Sequence, residues 1–204
     1  MTSSFWNERY GGEGLVYGEE PNTFLSGSVE HLPKSGMALD LGAGEGRNAL
    51  FLASIGLETT AIDQSEVGLA KAGRRARERG LSLRTRVVDL NDYSPGAASF
   101  DVVTSIFVHL PSGLRSRVLR GVVSWLRPGG VFVLEAYAPD QIERDTGGPK
   151  DPDMLASLES IVGDLRGGDP SIGIVHQAAL VRDVIEGAHH SGESSVVQVI
   201  ARRR

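Results

Sequence analysis

The chain has 204 residues, a formal net charge of −5 and no cysteine. This length suits one domain, residues 1–204, with a sheet covered by helices on both faces, and it leaves no room for a second full domain. The acidic balance gives no electrostatic reason to expect nucleic acid or an anionic lipid surface as a partner, and the lack of cysteine excludes disulfides, thiolate nucleophiles and Cys-based zinc sites.

The N-terminal sequence gives an expectation about the cellular compartment. It lacks the basic stretch and long apolar run of a signal peptide. No stretch approaches the roughly 18 consecutive apolar residues that a membrane-spanning helix needs. We therefore expect a soluble, cytoplasmic protein with no membrane partner.

Residues 1–33 predict an aromatic arm followed by a short helix. Trp6, Tyr10 and Tyr17 lie among glycines, which is not typical of a core element. Apolar residues then recur at helical spacing from Phe24, and Pro33 ends the helix.

Residues 36–137 alternate between predicted strands and helices. Strands are expected at 38–41, 57–62, 81–88, 100–107 and 131–137. Helices are expected at 48–53, 65–79 and 111–126. Such alternation predicts a parallel, doubly wound sheet.

The remaining chain departs from this alternation. Residues 138–153 are rich in Pro, Gly and Asp and predict an irregular segment, which a helix at 154–165 follows. Two stretches with alternating apolar positions, 172–184 and 194–203, can pair as an antiparallel hairpin. The fold class is therefore α/β: a doubly wound, seven-stranded, mostly parallel sheet with an antiparallel C-terminal hairpin strand.

The stretch 39–48 is the place where we expect a cofactor. A short apolar run meets an acid and three glycines: Asp40, Gly42, Gly44 and Gly46. Glycines let the backbone approach a ligand, and the following helix N-terminus offers N–H groups. Dinucleotide binders prefer G-x-G-x-x-G, with a third glycine at position 47, but this chain has Arg47 there. The observed spacing resembles the first motif of Rossmann-like methyltransferases that use S-adenosylmethionine (SAM).

Two further acids end predicted strands. Asp63 follows Gly42 by about twenty residues and can accept the ribose hydroxyls of an adenosine; the alternative is a helix N-cap, for which Ser65 is also available. Asp89 can accept the adenine amino group while Leu90 offers a backbone N–H. A solvated loop aspartate is the alternative for Asp89.

The later strands make the resemblance specific. Residues 99–111 and 126–131 resemble the corresponding segments of class I, Rossmann-like, SAM-dependent methyltransferases, so that the family's motifs cover residues 36–137. A narrower resemblance, in residues 5–10, 17–25, 147–150 and 186–192, is to the short bacterial methyltransferases named after tellurite resistance. It extends more distantly to thiopurine methyltransferases, chiefly through the aromatic arm.

The resemblance implies a SAM-dependent enzyme that methylates a small molecule by direct displacement and releases S-adenosyl-L-homocysteine. It places the amino-acid end of SAM against Asp40, Gly42, Ala43 and Gly44, with Ser105 or Ile106 nearby. It places the adenosine between Asp63, Gln64, Asp89 and Leu90. Trp6 and Tyr17 are expected to close over the cofactor with the arm and helix of 1–33, and 138–170 is expected near the substrate. The competing explanation for the arm is contact with a neighbouring subunit, in a monomer or a homodimer.

Four residues are candidates to face the substrate: His109, Tyr137, His189 and His190. Each has an ordinary alternative. His109 could cap the next helix, Tyr137 could pack the sheet edge, and the histidine pair could be a surface turn. No metal is expected at the adjacent histidines, because neighbouring residues of a strand point to opposite faces.

Two other functions stay open from the sequence. An NAD-dependent oxidoreductase is disfavoured by Arg47 and by the methyltransferase-like later strands. A non-catalytic SAM-binding module remains compatible with the motifs, because they report binding and not transfer. The methyl acceptor, and whether it needs a general base, is not specified by the sequence.

Overall fold

The computed structural model describes residues 2–187 and 191–204. Within them the strands are β1 Gly36–Leu41, β2 Leu57–Asp63, β3 Leu83–Val87, β4 Phe100–Ile106, β5 Leu126–Tyr137, β6 Gly173–Ile185 and β7 Ser191–Arg202. The helices are α1 Ser3–Arg9, α2 Thr23–Gly27, α3 Arg47–Ser54, α4 Glu66–Glu78, α5 Ser112–Trp125 and α6 Leu158–Gly168. Short 3₁₀ turns form at Val29–His31, Pro139–Glu143 and Pro152–Met154. No helix in this part of the chain is long and apolar enough to cross a membrane.

The strands form one sheet in the order β3-β2-β1-β4-β5-β7-β6. The first five strands are parallel to one another, and β7 runs antiparallel to both β5 and β6. The predicted seven-stranded, doubly wound fold is confirmed. The strand order reverses between β1 and β4, and open α/β sheets bind ligands at the carboxyl ends of the strands at such a switch point.

Both faces of the sheet are covered, because alternate side chains of its central strands point to opposite sides. Phe132 and Leu134 of β5 join the core formed with α5 and α6. Val131 and Val133 join the opposite core, which includes residues of α2 and α3. The central strand β1 is buried throughout its second half, which explains its continuous apolar run.

Several element boundaries differ from the predictions, and the largest differences concern three elements. β5 begins at Leu126, not 131, because the turn residues continue the pairing with β4 across a register shift between Phe100 and Val102. α6 begins at Leu158, not 154, because Ser157 accepts a hydrogen bond from Ser160 N as its N-cap. The first predicted helix is interrupted after Gly27 and resumes as a 3₁₀ turn.

Candidate active site

A cavity of about 380 Å³ lies at the carboxyl ends of β1, β2, β3 and β4. Its wall is built from the glycine turn after β1, Asp63 and Gln64 at the end of β2, residues 88–91 after β3, and residues 106–111 after β4. The arm closes one side with Trp6, Tyr10 and Tyr17. This volume is in the range of small-molecule binding sites, and the position is the switch point of the sheet.

The glycine turn permits two close approaches. Gly42 and Gly44 both have positive φ angles, 59° and 51°. A Cβ on Gly42 would lie 2.9 Å from Val108 Cγ2, and a Cβ on Gly44 would lie 2.5 Å from the Tyr10 hydroxyl. The turn therefore needs glycine so that the loop after β4 and the aromatic arm can both pack against it.

Asp40 is a buried acid beneath this turn, with 1% of its surface exposed. Its Oδ1 accepts a hydrogen bond from Thr104 Oγ1 at 2.7 Å, while its Oδ2 has no hydrogen-bond partner among the described residues. Burial raises the pKa of Asp40 to about 7, although the Thr104 hydrogen bond and the charge of Arg47 lower it. Asp40 is thus a buried acid two residues before Gly42, where this part of the cavity wall begins.

Asp63 lies directly in the cavity wall. Its Oδ2 accepts from Gly44 N and its Oδ1 from Ser65 N, each at 2.8 Å. Burial raises its pKa. Ser65 Oγ, not Asp63, caps α4 by accepting from Gly68 N at 3.0 Å. Because a carboxylate oxygen accepts more than one hydrogen bond, Asp63 keeps acceptor capacity toward a ligand.

Asp89 and Leu90 lie in the wall after β3. Asp89 is exposed, and its Oδ1 accepts from Asn91 N at 2.8 Å and from Asn91 Nδ2 at 2.9 Å. These bonds order the loop and leave its other oxygen available to a ligand. Asp63 and Asp89 follow neighbouring strands, so their carboxylates are on the same side of the cavity.

An aromatic group follows β4. Phe107 adopts a φ of 53°, unusual for a residue with a side chain, and its N–H donates to Glu135 O at 2.8 Å. Its ring centroid lies 4.6 Å from that of Tyr137. The His109 ring stacks on Tyr137 at 5.5 Å and an interplanar angle of 14°. Burial lowers the pKa of His109 to about 4, so its imidazole is neutral at pH 7.

Comparison with known proteins assigns the domain. Residues 38–130, slightly less than half of the chain, match the family model described as a methyltransferase domain. This segment is therefore similar to a methyltransferase domain. The glycine/sarcosine/dimethylglycine N-methyltransferase of Actinopolyspora halophila is 35% identical over 129 residues, which are 61% of this chain and 23% of that protein. The probable S-adenosyl-L-methionine-dependent methyltransferase TehB of Haemophilus influenzae is 26% identical over 106 residues, 51% of this chain and 37% of that protein. The chain thus spans less than two fifths of the length of either relative.

Solved structures match over nearly the whole chain and show the same fold. The structure of Haemophilus influenzae TehB superposes with a TM-score of 0.72 and 16% identity, covering 99% of this chain and 67% of that one. A structure reported for the conversion of a disulfide bond into a thioacetal group during echinomycin biosynthesis gives a TM-score of 0.76 and 18% identity, with 98% and 89% covered. At this identity the likeness concerns the fold alone.

The aromatic arm packs on the cavity of the same chain. Trp6 stacks on Tyr10 with ring centroids 5.6 Å apart, and Tyr10 meets Tyr17 edge to face at 6.2 Å. The backbone between these rings is held by Lys71 Nζ, which donates to Gly12 O at 2.7 Å and to Gly14 O at 2.9 Å. Glu45 links both, since it accepts from Val16 N and from Lys71 Nζ, each at 2.8 Å.

A buried ionic network joins the arm to the C-terminal hairpin. Arg47 Nη1 donates to Tyr17 O at 3.3 Å, and Arg47 Nη2 pairs with Glu186. Asn22 Nδ2 donates to Glu186 at 2.7 Å and to the fully buried Glu135 at 2.6 Å. Glu135 also accepts from Arg182 Nε at 2.8 Å and Nη2 at 2.6 Å, and from Gln198 Nε2 at 2.6 Å. Sequence reasoning missed these partners; the only signal was an acid inside the apolar run of β5.

Most of the predicted site residues meet in the cavity wall: Trp6, Tyr17, Gly42, Ala43, Gly44, Asp63, Gln64, Asp89, Leu90, Ile106 and His109. Three others do not line it. Asp40 lies beneath the glycine turn, Ser105 is paired inside the sheet between Leu41 and Leu134, and Tyr137 is fully buried behind His109. His189 and His190 lie outside the described residues.

Proposed function

We propose that this chain is a SAM-dependent methyltransferase acting on a small-molecule acceptor, with S-adenosyl-L-homocysteine as the product. The observation that carries this proposal is the cavity at the switch point, where the glycine turn, Asp63 and the loops after β3 and β4 share one wall. The methyltransferase relatives and the fold support it. The narrower likeness to TehB supports a place near the tellurite-resistance methyltransferases, without giving the acceptor.

The residues present fit the cofactor. Asp40 lies behind the cavity wall, and its buried carboxylate would favour the ammonium of the amino-acid end through its charge. Asp63 would hold the ribose hydroxyls, with Gln64 beside it, and Asp89 and Leu90 would hold the adenine. Gly42, Ala43 and Gly44 would give the amino-acid end its backbone contacts, with Ile106 on the adjacent strand.

When bound, SAM supplies a methyl group on a positively charged sulfur that leaves as a neutral thioether. The protein aligns the acceptor with that group and excludes water. Trp6 and Tyr17 of the arm present aromatic faces to the positive charge. His109, neutral at pH 7, can accept a hydrogen bond from a hydroxyl or thiol acceptor, although its low pKa makes it a weak base. In this proposal residues 1–33 cover the cofactor, residues 138–170 border the substrate, and all act within one domain.

Isothermal titration with SAM, S-adenosylhomocysteine and NAD tests the cofactor first. We expect saturable binding of the two adenosylated amino acids and none of NAD. Asp63→Asn keeps the side-chain size and should weaken the binding of S-adenosylhomocysteine about 10- to 100-fold, because hydrogen bonds to a charged group are lost. Binding of NAD alone would overturn the proposal. Tight SAM binding with no methyl transfer to any of a broad set of thiol, hydroxyl and amine acceptors would favour a non-catalytic module.

A further inference from the structure

The cavity wall offers little to an anion. Its charged members in the described chain are Glu45, Arg47, Asp63 and Asp89. Arg47, the one cation of the described wall, is already paired with Glu186 and donates to Tyr17 O. Glu45 is likewise paired with Lys71. In the proposed function Asp63 and Asp89 hold the adenosine, so an anionic acceptor would lose its hydration with no uncommitted cation in the described wall to compensate.

The other part of the wall is aromatic. Trp6 and Tyr17 contribute from the arm, and Phe107 and His109 contribute from the loop after β4. The acids lie on the β2 and β3 side of the sheet, whereas Phe107 and His109 extend from β4 toward β5. The neutral state of His109 at pH 7 keeps this region uncharged. Flat rings without charge favour apolar and aromatic ligands.

We propose that the methyl acceptor is an uncharged molecule with an apolar or aromatic body, and not an oxyanion such as tellurite, and that Trp6 contacts this body. The inference rests on the proposed function and names its substrate class. For a neutral thiol or hydroxyl acceptor, the lone pair of the acceptor forms the bond to the methyl carbon. The electrons of the broken carbon–sulfur bond remain on sulfur, and the acceptor proton is released to solvent, so charge and atoms balance.

The test compares matched probes that differ in charge. Phenylmethanethiol is neutral near pH 7.5, 4-(sulfanylmethyl)benzoate is the same thiol with one carboxylate, and sodium tellurite is the oxyanion. Each is titrated into the protein saturated with S-adenosylhomocysteine, and methyl transfer from SAM is measured in parallel. We expect the neutral thiol to bind about ten-fold or more tightly than the carboxylate analogue, and tellurite not to bind.

Two variants of α1 locate the contact. Trp6→Ala should weaken the neutral thiol about five-fold, the loss of one aromatic contact, without a change in melting temperature, because α1 contains no buried residue. Glu8→Ala shortens an exposed side chain of the same helix that is absent from the cavity wall, and it should leave thiol binding unchanged.

The failures can be told apart. If S-adenosylhomocysteine does not bind, the proposed function fails. If it binds and the carboxylate probe or tellurite binds as well as the neutral thiol, or the neutral thiol does not bind at all, the substrate class is wrong. Equal effects of the two α1 variants would remove Trp6 from the acceptor site.

Discussion

Replacing Asp40 by Asn should stabilise the fold and, at the same time, weaken the binding of the cofactor. Asp40 is buried, and its Oδ2 has no donor partner among the described residues. The amide of Asn can still accept from Thr104 at Oδ1, so the substitution keeps that hydrogen bond. It removes a charge that the interior disfavours and that an incoming ammonium would use.

The size of the effect follows from the pKa of Asp40, which burial raises from 3.8 to about 7. Above pH 7 the group is ionised in both the folded and the unfolded state, and the shift corresponds to about 4 kcal/mol of lost folding free energy. Below pH 3.8 it is protonated in both states and the cost vanishes. The stability of the wild-type protein should therefore fall, through this group, as the pH rises from about 4 to 7. The unpaired Asn amide costs about 1–3 kcal/mol at every pH.

Urea denaturation of both proteins at pH 4.5 and pH 8 measures this. We expect the difference in unfolding free energy, variant minus wild type, to be about 3 kcal/mol larger at pH 8 than at pH 4.5. We also expect the variant to bind S-adenosylhomocysteine about 10- to 100-fold more weakly at pH 8. Asp92→Asn removes the same charge from an exposed loop position and should show neither effect. A stability difference that does not change with pH, or unchanged cofactor affinity, would refute the reasoning.

Two further predictions concern the contacts between the arm and the hairpin. Arg182→Ala leaves the fully buried Glu135 without its guanidinium and should lower the free energy of unfolding by about 3–5 kcal/mol in chemical denaturation. Arg182→Lys keeps a positive charge and should recover part of that loss. Equal losses in the two variants would show that the charge is not what stabilises Glu135. Gly187→Ala adds a Cβ at a φ of 78° that would lie 2.6 Å from Tyr17 Cα. The substitution should displace the arm and cost about 1–3 kcal/mol of backbone strain. It should weaken the binding of S-adenosylhomocysteine about ten-fold, as measured by titration. Gly163→Ala, in open space on α6, is the control and should leave that affinity unchanged.

The local parts of the site could be predicted because each depends on a short stretch. The strand, glycine turn and helix of 36–54 follow from an apolar run, an acid and three glycines within a few residues. Asp63 and Asp89 could be placed together because acids that end neighbouring parallel strands lie at one edge. The wall between these points was therefore readable from the sequence once the fold class was known.

The side-chain partners could not be predicted in this way. Lys71 and Glu45 are 26 positions apart, and Arg47 and Glu186 are 139 positions apart. No periodicity links such pairs, and a charged residue on a helix is ordinarily a solvated one. Lys71 is instead 8% exposed, because α4 packs under the arm. Boundaries failed for a related reason, as at α6, where the cap at Ser157 prevailed over the apolar periodicity that begins earlier.

These side-chain pairs explain why the glycine-rich arm is held in one position over the cavity. An irregular segment cannot satisfy its own backbone polar groups and must find partners elsewhere. Here Lys71 binds two carbonyls, Glu45 binds the Val16 N–H, and Arg47 binds the Tyr17 carbonyl. Two charged residues of the described wall, Glu45 and Arg47, are thus committed to the arm backbone, which places aromatic rings over the cavity and leaves the described wall without an uncommitted cation. The proposed choice of an uncharged acceptor rests on the same contacts that fix the arm.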